Sequence, residues 1–185
     1  MLDQPKLRKP SAAELAAAAD LTIPDVAGPG LRVLFCGINP GLYSAATGRH
    51  FARPGNRFWP ALYRSGFTRR LLGPAEQELL LDQGLGITNL AARATARADE
   101  LSASELIEGA AILTAKLAEL RPQWLAVLGV TAFRTAFRQK AATTGPQAEI
   151  GTTQVWVLPN PSGLNASWPT PRLEAAFREL RELAG

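Results

Sequence analysis

Cysteine and histidine are scarce in this sequence of 185 residues, which contains one of each, Cys36 and His50. A single cysteine excludes an internal disulfide, a cysteine-held iron–sulfur cluster and a cysteine-rich zinc site. A single histidine gives little support to a conventional zinc hydrolase site or a histidine-based triad. We therefore expect a protein that uses no metal and no other cofactor.

Long apolar runs are also missing. No stretch approaches the ~20 residues that span a bilayer, and residues 1–10 lack the apolar core of a signal peptide. The chain is 46% hydrophobic and 19% charged, and its length suits one domain with a sizeable core. These features favour a soluble cytoplasmic protein with no membrane partner.

Basic residues moderately outnumber acidic ones, with 20 Lys and Arg against 16 Asp and Glu, and sixteen of the twenty bases are arginine. Arginine binds phosphate through two parallel hydrogen bonds. Arginines are mixed with aromatic residues between residues 49 and 70, and Arg93 and Arg97 lie in a second loop. This pattern fits a nucleic-acid partner, although a merely basic surface would show it too.

Short apolar runs alternate with helix signals along the chain. The predicted strands are 31–37, 86–90, 124–129 and 154–158, with a possible fifth at 148–151. Capping boxes at Ser11 and Ser102 open helices to about Asp20 and Leu120. Further helices are predicted at 57–65, 74–84, 130–138 and 170–183, the last with Leu173, Phe177 and Leu180 on one face.

Alternating strands and helices predict an α/β fold, a three-layer α/β/α sandwich around a mainly parallel sheet of four to five strands. Residues 26–185 are expected to form this single domain, with 1–25 a basic tail and a short helix outside it. Ligands of such sheets bind beyond the carboxyl ends of the strands. The segments that follow those ends are 38–55, 89–101, 129–131 and 159–168.

Two of these segments have distinctive sequences. In Gly37-Ile-Asn-Pro-Gly41, glycines allow close approach and Pro40 fixes a turn that presents Asn39, although an ordinary Asn-Pro turn would read the same way. In Leu158-Pro-Asn-Pro-Ser-Gly-Leu-Asn165, two prolines stiffen a polar loop that carries Leu164. A leucine on a rigid loop beside a basic cleft can wedge into a base stack, or it can anchor the loop in the core.

These loops, with Asn56-Arg-Phe-Trp59 and Gly86-Ile-Thr-Asn-Leu90, closely resemble the mismatch-specific uracil-DNA glycosylases. Those enzymes belong with the thymine-DNA glycosylases in the uracil-DNA glycosylase superfamily, and the resemblance covers about residues 26–183. It implies a monofunctional DNA glycosylase of bacterial base excision repair. Such an enzyme would act as a monomer at the nucleoid on double-stranded DNA containing uracil or a mismatched or modified pyrimidine, mainly opposite guanine.

The resemblance also implies roles in a base-binding pocket. Asn39 matches the residue that positions the attacking water. Phe51 matches the aromatic that stacks on the flipped base, and Ile38 and Asn89 would line the pocket. Backbone N–H groups around Gly41 and Phe51 would receive the uracil oxygens. Gly41 stands where stricter uracil enzymes carry a tyrosine that blocks a 5-methyl group, so the pocket is expected to admit thymine or larger lesions.

Leu164 matches the wedge that fills the space left by the flipped base. Asn160 belongs to the same loop, and Gly163 and Asn165 would read the opposite guanine. Ser162 and Ser167 are expected to contact phosphate. The family often has an arginine two residues after the wedge, whereas this chain has Ala166. That departure predicts a weaker grip on the opposite base and a broader tolerance for it.

Only two carboxylates, Asp99 and Glu100, lie in a loop that leaves the carboxyl end of an inner strand. Asp99 is therefore a candidate for stabilising the sugar cation or activating water, although a residue ahead of the Ser102 cap also favours the helix dipole. His50 is expected to contact the loop or a phosphate rather than to catalyse.

Two other functions remain open from the residues. A non-catalytic DNA- or nucleotide-binding domain on the same fold would explain the charge and the glycine loops. A phosphate-binding hydrolase is less well supported, because Gly37-Ile-Asn-Pro-Gly41 lacks the Gly-Lys-Ser/Thr ending of a P-loop.

Overall fold

A single five-stranded sheet forms the centre of the protein in a computed structural model that describes residues 7–185. The strands are β1 Val33–Gly37, β2 Leu85–Asn89, β3 Trp124–Leu128, β4 Gly145–Ile150 and β5 Thr153–Leu158. Their order is β2-β1-β3-β5-β4, and only β4 runs antiparallel to its neighbour. The predicted mainly parallel sheet is confirmed, and its edge strand starts at Gly145 rather than at residue 148.

Helices flank the sheet on both faces. The α-helices are α1 Ala12–Ala17, α2 Leu42–Thr47, α3 Phe58–Arg64, α4 Ala103–Leu120, α5 Val130–Ala136 and α6 Thr170–Ala184. Both predicted capping boxes form, with the Ser11 and Ser102 hydroxyls accepting from the amides of Glu14 and Glu105. The first helix ends earlier than the predicted residue 20. No helix within residues 7–185 has the length and apolar character needed to cross a membrane.

Successive strand residues point to opposite faces of the sheet and build two separate cores. Phe35 belongs to the core beneath α3 and α6, where its ring meets those of Phe58, Phe67 and Phe177. Leu34 and Cys36 belong to the core beneath α4 and α5. The predicted α/β/α sandwich is therefore confirmed, as is the buried face of the last helix, which carries Leu173, Phe177 and Leu180.

Two predicted segments differ from the structure. The segment 38–55, expected to be a continuous loop, contains α2, which Gly41 opens and Gly48 closes in the left-handed conformation at φ 65°. The helix predicted at 74–84 is a 3₁₀ segment, Pro74–Gln83, with Glu76 at the non-helical φ of −112°. Both corrections concern short helices, in which capping rather than hydrophobic periodicity decides the conformation.

The described part of the N-terminal segment packs onto the loops near the sheet's carboxyl edge. Ala18 is buried against Ala45 and Ala94, and the Asp20 amide donates to the Ala94 carbonyl. Residues 1–6 of the predicted basic tail lie outside the described residues. The domain boundary at residue 25 stays a prediction.

Candidate active site

A cavity of about 160 Å³ opens at the carboxyl edge of the sheet. The last residues of three parallel strands, Gly37, Asn89 and Leu128, line it, together with Asn160 just after β5. Three of the four predicted ligand segments, 38–55, 89–101 and 159–168, contribute residues to this cavity.

The Asn39 amide has a fixed orientation. Its Nδ2 donates to the Arg93 carbonyl at 3.0 Å and to the Thr95 hydroxyl at 2.7 Å. Thr95 uses its own proton on the Arg97 carbonyl at 2.7 Å, so it can only accept from Asn39. Both amide protons of Asn39 are therefore engaged, and Oδ1 is the atom left for a ligand. An oxygen held in this way can accept a hydrogen bond from a water molecule and orient it.

The loop that holds Asn39 is itself anchored. The Arg93 guanidinium donates to Glu105 at the start of α4, to Asp20 and to the Glu100 carbonyl. The hydrogen bond from Arg93 is the main reason why the pKa of Glu105 falls to about 2. The Arg93 carbonyl that binds Asn39 therefore belongs to a residue whose side chain is fixed by three other residues.

Phe51 presents a ring to the cavity from a backbone conformation that few side chains adopt, with φ at 52°. Its ring stacks on the fully buried Phe58, with centroids 4.1 Å apart and planes 27° apart. Gly37 makes room for it, since a Cβ there would lie 3.2 Å from Phe51 Cζ. The ring packs against the core and lines the cavity at once, as a stacking platform for a planar ligand would.

Hydrogen bonds on both sides of Phe51 hold this turn. The His50 amide donates to Gln77 Oε1 at 2.8 Å, and its carbonyl accepts from Trp59 Nε1 at 3.2 Å. The Ala52 amide donates to the Ser44 hydroxyl at 3.1 Å. The surrounding structure thereby stabilises a left-handed residue that would be unfavourable in a free loop.

His50 is only 2% exposed, and of its two expected contacts, a loop or a phosphate, the structure shows the loop contact. Its Nε2 lies 2.9 Å from the Pro24 carbonyl, so this nitrogen carries the proton and Nδ1 is an acceptor. Nδ1 faces Asn89 Nδ2 at 3.5 Å. Burial lowers the pKa of His50, which is therefore neutral at pH 7. Asn89 Oδ1 lies beside Gly37, so that a Cβ added to Gly37 would be 2.5 Å from this oxygen.

Gly41 and Ile38 complete the cavity wall. Gly41 begins α2 in an extended conformation, and a Cβ at this position would have no heavy atom within 4 Å. There is therefore space for a ligand substituent beside Gly41. Ile38 packs toward Gly129, whose missing Cβ would lie 3.3 Å from Ile38 Cδ1.

The loop after β5 projects beside the cavity. Leu164 is 76% exposed at its tip, within a turn closed by the Asn165 amide on the Ser162 carbonyl at 3.0 Å. Asn160 holds the base of the loop, because its side chain accepts from the Ser162 amide and its carbonyl accepts from Asn165 Nδ2. Gly163 touches the neighbouring loop so closely that a Cβ would lie 2.5 Å from the Gly55 oxygen.

The family model of the uracil DNA glycosylase superfamily matches residues 24–182. The chain belongs to this superfamily. A solution NMR structure of a uracil DNA glycosylase candidate from Methanosarcina acetivorans is similar in fold, with a TM-score of 0.58. The similarity covers 88% of this chain and 98% of that one at 18% sequence identity, which supports the uracil DNA glycosylase fold alone.

Membership in the uracil DNA glycosylase superfamily makes the chain a DNA glycosylase in general, a hydrolase of N-glycosidic bonds. The structure brings most of the predicted residues to one edge of the sheet: Asn39, Ile38, Gly41, Phe51, Asn89, Asn160 and Ser162 in the cavity lining, and Gly163, Leu164 and Asn165 beside it. Among residues 7–185, no group of three or more His, Cys, Asp and Glu side chains is placed to hold a metal ion.

Asp99 does not line the cavity. Its carboxylate is ion-paired with Arg97, is 63% exposed and lies outside the lining, although Ala98 beside it contributes to the lining. This position does not support the predicted catalytic role. Ser167, the other predicted phosphate contact, lies in the loop beyond Leu164 and outside the cavity lining.

The structure also shows which of these arginines form ion pairs and which do not, a distinction that the sequence alone does not give. Arg93 and Arg97 are engaged with carboxylates, as are three arginines of the 49–70 stretch: Arg49, Arg64 and Arg70. Arg53 has no ion pair within residues 7–185, and it lines both the cavity and the cleft beneath Leu164. It is therefore the arginine of that stretch best placed to meet a phosphate of a nucleic acid entering this site.

Proposed function

We propose that this chain is a monofunctional DNA glycosylase that flips uracil out of the duplex and hydrolyses its N-glycosidic bond. Thymine and other modified pyrimidines, mainly those opposite guanine, belong to its substrates. The product is an abasic site for base excision repair. The observation that carries this proposal is the fixed Asn39 oxygen, at the same sheet edge as the Phe51 ring and the exposed Leu164.

The reaction follows from the charges that develop as the bond breaks. The electron pair of the C1′–N bond leaves with the base, so the sugar becomes positive and the base negative. A water molecule held by Asn39 Oδ1 adds its lone pair to C1′ and afterwards releases a proton to solvent. An amide is too weak a base to remove that proton at neutral pH, so Asn39 orients the water.

The Phe51 ring and Asn89 support recognition of the flipped base. Phe51 offers one face to a planar ring, because Phe58 covers the other. Asn89 lines the cavity, its Nδ2 faces neutral His50, and its oxygen, which lies beside Gly37, suits a donor such as the N3–H of uracil. Leu164 has the exposure required to fill the gap in the base stack.

The deciding experiment incubates the purified protein with a panel of duplexes and then treats them with alkali to cleave abasic sites. The panel contains uracil opposite guanine, uracil opposite adenine, thymine opposite guanine and undamaged controls. Strand cleavage at uracil supports the proposal. Binding without cleavage in every duplex would favour the alternative, a non-catalytic DNA-binding domain on this fold.

The open space at Gly41 predicts the substrate range. In Gly41→Tyr, we expect excision of thymine opposite guanine to fall by roughly ten- to two-hundredfold, the usual penalty for misfit of one small group. Excision of uracil, which lacks the 5-methyl group, should change much less. Gly41→Ala is the matched control, because its methyl group is too short to close the space. Equal losses for both bases would show that this space does not receive the 5-position.

The position of Asp99 predicts a small effect of its removal. Asp99→Asn breaks only an exposed ion pair with Arg97. Since such solvent-screened pairs contribute little and Asp99 lies outside the cavity lining, we expect the single-turnover rate of uracil excision to stay within about fivefold of wild type. A much larger loss with unchanged DNA binding would restore Asp99 to the catalytic site.

A further inference from the structure

Arg57 binds the loop that carries Leu164 through backbone carbonyls alone. Its Nη1 donates to the Trp168 carbonyl at 2.5 Å, and its Nη2 donates to the Ser162 and Asn165 carbonyls at 2.8 and 3.1 Å. Its backbone amide also donates to the Pro161 carbonyl at 2.9 Å. Four carbonyls between residues 161 and 168 therefore point at this one residue of the Asn56-Arg-Phe-Trp59 motif.

The two hydrogen bonds of Arg57 Nη2 go to residues on either side of the exposed Leu164. Ser162 and Asn165 are the first and last residues of the turn in which Leu164 lies, and the same nitrogen holds both of their carbonyls. A guanidinium offers several donors in one rigid plane, whereas an ammonium is a single point that cannot reach these carbonyls in the same arrangement.

No carboxylate within the described residues forms an ion pair with Arg57, and its Nε is buried without a partner. A charged group in such surroundings is costly unless its remaining hydrogen bonds are well made. The guanidinium is stabilised by its hydrogen bonds to the loop carbonyls. The conformation of the loop therefore depends on Arg57.

We infer that Arg57 is a positioning residue that holds the Leu164 turn in its projecting conformation before DNA binds. A loop ordered in advance loses less conformational entropy on binding. This inference rests on the proposed function for its consequence, insertion of Leu164 into the base stack. The hold of Arg57 on residues 161–168 is a property of the free protein and can be measured without any substrate.

Hydrogen exchange of the free protein tests that hold. In Arg57→Lys, we expect the amides of Leu164, Asn165 and Ala166 to exchange at least roughly tenfold faster, because their bonds within the turn open more often. Amides of the sheet should keep their wild-type protection. Arg138→Lys, just beyond the C-terminal end of α5, is the matched control and should change neither group. Unchanged exchange in the loop of Arg57→Lys would overturn the inference.

Single-turnover excision of uracil opposite guanine tests the consequence. We expect Arg57→Lys to slow excision roughly tenfold, as the loss of hydrogen bonds to a charged group would. Leu164→Ala should also slow it, and the double variant should be no slower than Leu164→Ala, because the side chain that Arg57 positions is then absent. Full activity of Arg57→Lys, or additive losses in the double variant, would contradict the inference.

Misfolding of Arg57→Lys and failure of the proposed function can each be distinguished from failure of the inference. If Arg57→Lys lacks the melting transition of wild type, Arg57→Gln, which retains one donor group, replaces it in both measurements. If wild-type protein leaves every uracil intact, the proposed function fails, while hydrogen exchange still decides whether Arg57 fixes the turn.

Discussion

Asn39→Ala should slow uracil excision by about a hundredfold or more, since misplacing a reactant by 1 Å is enough for a loss of that size. The variant removes the oxygen that holds the water, and the two bonds to Arg93 and Thr95 that fix it. We expect the affinity for undamaged duplex to stay near the wild-type value, because Leu164 and Arg53 are untouched. Single-turnover excision with enzyme in excess gives the first quantity, and fluorescence anisotropy gives the second.

Two companion variants separate the presence of the oxygen from its orientation. Thr95→Val keeps Asn39 but removes one of its acceptors, so the loss should be smaller than in Asn39→Ala. Asn39→Asp has no proton to donate to the Arg93 carbonyl, and its carboxylate would be repelled there, so it should not restore activity at neutral pH. An Asn39→Ala rate within a few-fold of wild type would remove Asn39 from the mechanism.

Local sequence signals predicted most of the fold. The parallel strands are apolar because both of their faces are covered, and both capping boxes mark true helix starts. α2 was missed because six residues between two glycines show no helical periodicity. The position of β4 was only approximate, since this edge strand alternates between half-buried and exposed residues and carries a weaker apolar signal.

The sequence predicted those site residues that lie within short, distinctive motifs. Asn39 and Leu164 stand in distinctive loops, and the parallel topology explains why those loops meet. Thr95 and Arg57 were missed as positioning residues because their partners are 56 to 111 positions away in sequence. The partners of His50 were not predicted for the same reason, since only the folded chain brings Pro24 and Asn89 to the two sides of its ring.

Gly109→Ala should reduce the free energy of unfolding by about 3 kcal/mol, the upper range for an overpacked core. α4 crosses the end of β2 at Gly109, where a Cβ would lie 2.1 Å from the Leu90 carbonyl oxygen. The Leu90 carbonyl is a backbone group and an alanine Cβ has a position fixed by its own backbone, so no side-chain rotation relieves the contact. The clash outweighs the gain of about 1 kcal/mol that alanine normally brings to a helix interior. Urea unfolding measures the change.

The same substitution should also lower excision, because the displaced residues support Asn39. The Leu90 and Ala91 amides donate to the Gly37 and Ile38 carbonyls at 2.9 Å each, which joins the end of β2 to the strand end that carries Asn39. Gly28→Ala is the matched control, since a Cβ at Gly28 meets no heavy atom within 4 Å, and its effect should stay within about 0.5 kcal/mol. Equal stabilities of the two variants would show that α4 can move away from β2 at little cost, and unchanged excision by Gly109→Ala would show that Asn39 does not depend on this contact.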